Sequence, residues 1–66
     1  MTEKEIIKKL AEMYIELNKD YESGIDYSVE KAARLSLLDE IFEEIFGIEN
    51  LYVDNGWLKS EGKKIG

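Results

Sequence analysis

Carboxylates are the one chemically capable side chain that this sequence concentrates. Asp39, Glu40, Glu43, Glu44 and Glu49 place five acids in eleven residues with no base between them. Acids at helical spacing can ligate a divalent cation or share general acid–base work. Either use needs acids on more than one element. Glu12, Glu16 and Asp20 recur every four residues earlier in the chain, but on the polar side of their segment. There is no His and no Cys, which removes imidazole catalysis, thiolate nucleophiles, disulfides and the usual zinc ligand sets. The expectation is a protein that is not an enzyme and holds no metal or cofactor. What remains for the acids is docking. At 100° per residue Asp39, Glu40, Glu43 and Glu44 span about 140° of one helix face, so a single flat basic partner can meet all four. Their place in the last turns of a helix opposes the macrodipole, which favours cations there. The competing reading is an ordinary solvated face.

A second constellation is basic and aromatic. On a helical wheel Lys31 and Arg34 fall within the angular range of the apolar stripe, and a buried guanidinium must be paired. The structural reading is an Arg34 that reaches an acid of the first helix or of a symmetry mate, with Lys31 snorkelling. The functional reading is a small anion pocket in which Tyr21, Tyr27, Lys31, Arg34 and Trp57 clamp a phosphate and stack a base. Trp57 is expected to cap the core, with an exposed binding anchor as the alternative. Glu40-x-x-Glu43 resembles one half of the magnesium-holding pattern of all-α nucleotide pyrophosphatases, Glu-x-x-Glu facing Glu-x-x-Asp. The other half of that pattern is missing here.

The elements that must position these residues are marked by their ends. Thr2-Glu3-Lys4-Glu5 has capping-box spacing and opens a helix over about 3–21. Its predicted core stripe is Ile6, Ile7, Leu10, Met13, Tyr14, Leu17 and Tyr21, with Ile15 pointing the other way. A loop over 22–27 contains Gly24, and Asp26 or Ser28 caps a second helix over about 28–46 that stops before Gly47. A short connection between two long helices implies an antiparallel hairpin. Over 48–59, Asn55-Gly56 between β-prone runs signals a β-hairpin or an extended segment; residues 60–66 are expected to fray.

Composition supplies the remaining expectations. The chain has 66 residues, is 44% hydrophobic and 36% charged, and carries a net charge of −6. Residues 1–47 hold twelve acids and six bases, and residues 48–66 hold three of each. That sign opposes direct binding to nucleic acid or anionic lipid. No apolar run reaches the roughly 18 residues of a membrane span and no signal core opens the chain, so a cytoplasmic protein is expected. Leu35, Leu38, Ile41, Phe42, Ile45 and Phe46 spread over about 140° of the second helix, wider than one partner helix covers. The predicted fold is therefore a single all-α domain, an antiparallel two-helix hairpin with a short C-terminal segment. It is expected to dimerise, or assemble further, into a four-helix bundle through Leu38, Ile41, Phe42, Ile45 and Phe46; the competing reading is a monomer in which the C-terminal segment, with Leu51, Tyr52, Trp57 and Leu58, folds back over that face.

With its capped first helix, the linker Tyr-Glu-Ser-Gly-Ile-Asp-Tyr-Ser and the helix Ala-Ala-Arg-Leu-Ser-Leu-Leu-Asp-Glu-Ile-Phe-Glu-Glu-Ile-Phe-Gly, the chain resembles small helical-hairpin accessory proteins of bacteriophages of Gram-positive bacteria, over residues 3–47. The resemblance implies a non-enzymatic inhibitor of a host protein, in some cases an immunity protein, acting by occlusion or nucleic-acid mimicry. An oligomeric sponge for a small anionic nucleotide signal is the alternative, and a structural or regulatory subunit the third option.

Overall fold

The computed structural model describes residues 1–24 and 27–65. Two helices, α1 (Glu3–Ser23) and α2 (Val29–Glu44), are followed by strands β1 (Leu51–Asp54), β2 (Trp57–Ser60) and β3 (Lys63–Lys64). The strands form one antiparallel sheet in the order β1-β2-β3. This overturns the all-α expectation: the protein is a mixed α/β domain of two helices and a three-stranded sheet.

Each helix begins and ends where its local chemistry requires. Thr2 stays extended and its Oγ1 accepts from the Glu5 N–H at 3.2 Å. Ser28 does the same for the Lys31 N–H; the alternative cap, Asp26, lies outside the described residues. Gly24 closes α1 at φ 70°, donating its N–H to the Asp20 carbonyl. After α2 the Gly47 N–H reaches the Glu43 carbonyl and the Ile48 N–H reaches that of Phe42, which satisfies carbonyls that the helix end would otherwise leave open.

Asn55 (φ 52°) and Gly56 (φ 77°) both take the positive φ of a two-residue hairpin turn, and set Val53 opposite Leu58 and Asp54 opposite Trp57. A second turn of the same kind, Glu61 (φ 51°) and Gly62 (φ 81°), brings the chain back as β3, with Ser60 opposite Lys63. The tail expected to fray is thus ordered through Ile65, whose N–H donates to the Leu58 carbonyl. Glutamate is a poor residue for a left-handed position, where only Gly, and to a lesser degree Asn or Asp, sit at low cost. Glu61→Asn is expected to stabilise the domain by about 0.5–1 kcal/mol, read as a rise in Tm of several degrees by thermal circular dichroism.

The sheet's inner face completes the core. Ala11 and Tyr14 from α1, Leu38 and Phe42 from α2 and Leu58 from β2 are buried together. Around them pack the half-buried Ile7, Leu10, Ile15, Leu35, Phe46 and Val53. Two expectations change as a result. Leu38 and Phe42, expected at a bundle interface, are buried within the chain itself, in one cluster with Ala11, Tyr14 and Leu58. Ile15, expected outside, packs against the core, whereas Met13 and Tyr21 are more than half exposed. The cause is one displacement: α1 is covered by α2 on one side and by the sheet on the other, which moves its buried face from Met13 towards Ala11 and Ile15.

Candidate functional site

The acidic residues of α2 divide in two. Asp39 is half-buried and lies close enough to the Tyr14 hydroxyl, across the helix pair, for its charge to act on it. Burial first, and then the Asp39 carboxylate, push the Tyr14 pKa up to about 12. Asp39 therefore belongs to the interface with α1 and stands apart from the surface cluster. Glu40, Glu43 and Glu44 are exposed on an arc of about 100°, and among the described residues none of them makes a salt bridge; the ion pairs found are Lys19–Glu16, Lys31–Asp20, Arg34–Glu30 and Lys59–Asp54. No basic residue occupies the last turn of α2, so the macrodipole and the three carboxylates reinforce one another in negative potential.

This face is not purely polar. Leu37, 55% exposed, lies between Glu40 and Glu44 on one side and the edge of the apolar stripe on the other, and Val29 and Ala33 continue the same outward row. Ile45, 70% exposed, lies off this face, on the apolar side of α2.

The residues proposed for an oligomer contact are separated by depth. Leu38 and Phe42 are buried within the chain, Ile41 and Phe46 are half-buried, and Ile45 alone of the five is exposed.

The anion-pocket residues are not gathered into one cavity. Tyr21 and Tyr27 meet edge to face at 5.2 Å between ring centroids. Lys31 reaches across to α1 and donates to Asp20 Oδ2 at 2.9 Å, partly buried, while Arg34 pairs with Glu30 one turn earlier on its own helix. The roles expected for these two cations are reversed: Lys31 makes the interhelix bridge and Arg34 remains at the surface. Trp57 lies on the outer face of the sheet, its ring 4.1 Å from Lys64 Nζ. On the same face Lys59 donates to Asp54 at 2.8 Å, and the Asp54 carboxylate raises the Lys59 pKa above the ordinary lysine value.

No protein-family model, curated protein or solved structure matches the chain. Function therefore rests on the geometry. Among the described residues no group of three or more acids converges as a metal site, and no helix is long and apolar enough to cross a membrane. One concave feature involves a residue singled out by sequence: Arg34 joins Lys9, Glu12, Met13, Glu16 and Leu17 in a groove of about 490 Å³ between the helices, open to solvent.

Proposed function

We propose that this chain is a non-enzymatic binding protein that covers a basic surface of a bacterial host protein with the outward face of α2, by occlusion or by presenting carboxylates where that partner otherwise holds phosphates. The observation that carries the reading is the set of three exposed carboxylates, Glu40, Glu43 and Glu44, without a cation among the described residues and interleaved with the exposed Leu37. Charge complementarity steers encounter and selects the partner, and an apolar side chain inside the charged rim contributes burial that charges alone do not. The fold does not need these acids, since their side chains support no other element.

The test is capture of host protein from bacterial lysate by the immobilised chain and by the variant Glu40→Gln/Glu43→Gln/Glu44→Gln. Capture is expected to fall by about tenfold or more, equivalent to roughly 1.4 kcal/mol of lost binding, with helicity unchanged. It is also expected to weaken as salt is raised, because exposed charges are screened beyond about 8–10 Å at physiological ionic strength. Undiminished capture by the triple variant refutes the reading.

A further inference from the structure

The groove between the helices has a different character from the acidic face. Its apolar floor is Met13, 53% exposed, and Leu17, and Ile6, 37% exposed, extends it along α1. Its rim carries two bases, Lys9 and Arg34, and two acids, Glu12 and Glu16. In a chain of net charge −6, this surface is locally neutral. A partner of one charge sign meets repulsion at half of the rim, whereas a second copy carries both signs and can be turned so that Lys9 and Glu16 meet. Lys9 and Glu16 are seven residues apart, about 10 Å or two turns along α1, and they flank Met13. An antiparallel α1 from a second copy sets each Lys9 against the other copy's Glu16 and buries the two Met13 side chains against each other.

We propose that this groove is the contact surface between two copies of the chain, paired antiparallel along α1 about Met13. The contact needs roughly 500 Å² from each copy to reach the lower bound of a specific interface, about a tenth of the 4856 Å² surface. Pairing through this groove gives a dimer of α/β domains with the sheets outermost. Its core is formed by α1 side chains that the sheet leaves uncovered, and Leu38 and Phe42 take no part. The outward carboxylates of both copies stay free, so the assembly is bivalent for the partner inferred above. The contact itself does not depend on that inference.

Sedimentation equilibrium of the full chain over roughly 10–500 micromolar, the range in which an interface of this size associates, decides the matter. The expected result is a monomer–dimer equilibrium that Met13→Lys weakens by about tenfold or more. Met13 is half exposed, so this variant is expected to keep its fold, checked by circular dichroism. Lys9→Glu and Glu16→Lys are each expected to weaken self-association by about fivefold. The double reversal is expected to restore it to within about twofold, as a paired interaction requires. A monomer throughout the range, a dimer indifferent to Met13→Lys, or single reversals that the double reversal fails to rescue would overturn the proposal. The Glu40/Glu43/Glu44 triple variant should dimerise as the wild type does, so the two readings fail separately.

Discussion

Leu58→Ala is expected to unfold the whole domain, helices included. Leu58 is fully enclosed in β2 and shares one core with Ala11 and Tyr14 of α1 and with Leu38 and Phe42 of α2. Removing a buried leucine to the β-carbon costs about 2–5 kcal/mol, and a single core in a chain of this length rarely nets more than about 3–5 kcal/mol. The two magnitudes are comparable, so the variant has little or no folding free energy left. A urea titration followed by far-UV circular dichroism should show its transition midpoint reduced by more than half, or no folded baseline at all. Trp57→Ala, one residue earlier and on the outer face, provides the control. Trp57 is half exposed and its one described partner is the Lys64 ammonium, an interaction worth about 0.5–1 kcal/mol at an exposed site. Wild-type helicity and midpoint in Leu58→Ala would mean that the helical hairpin stands without the sheet.

That dependence on the sheet explains what could be read from the sequence and what could not. The helices are legible because their ends are written locally: Thr2 and Ser28 accept from the first turns, and Gly24 and Gly47 adopt positive φ at the exits. The first hairpin turn is legible for the same reason, as Asn55 and Gly56 suit a left-handed pair. The second is not. Glu61-Gly62 has half of the turn chemistry, and Lys63-Lys64 has no β-prone side chain, so nothing within three residues announces β3. Its order comes from the ladder to Lys59 and Ser60 and from Ile65 packing under Leu58. The width of the apolar face of α2 points to a second copy or to the C-terminal segment folding back, and only Leu58 in the core distinguishes the two.

The candidate site follows the same division. Glu40, Glu43 and Glu44 are legible because exposure on the outer arc of an amphipathic helix is a matter of angle alone. Asp39 differs from them by one residue in sequence, yet its role is set by Tyr14 on the other helix. Lys31 and Arg34 exchange roles because reaching Asp20 depends on the offset between α1 and α2, which no spacing within α2 encodes. The groove around Met13 is the clearest case: its apolar floor belongs to the stripe expected to be core, and it is open because the sheet took the opposite side of α1. Side chains whose environment is fixed by one helix were readable, and those placed between elements were not.

The Tyr14–Asp39 contact makes one such placement measurable, as loss of stability in alkali. In the fold the Tyr14 hydroxyl is held protonated by burial and by the neighbouring Asp39 charge, with its pKa near 12 against 10.0 for an unperturbed tyrosine. A group whose folded pKa lies above its unfolded value contributes stability that is complete below the unfolded pKa and lost as pH rises through the folded one. For Tyr14 the window is therefore pH 10 to about 12, and the stability lost across it by ionising the buried hydroxyl is roughly 2–3 kcal/mol at about 1.4 kcal/mol per pH unit, large for a domain this small. Lysines lose their protons in the same range, so the wild type must be compared with Tyr14→Phe, in which every lysine is retained and this hydroxyl cannot ionise. At neutral pH Tyr14→Phe should cost only about 1 kcal/mol, because Asp39 is half exposed and water can replace the lost donor. Above pH 10 the order should reverse: wild type is expected to unfold at lower pH than the variant, with tyrosinate absorbance rising together with the loss of helical signal. If both proteins unfold at the same alkaline midpoint, the fold does not hold the hydroxyl protonated, either by burial or through Asp39.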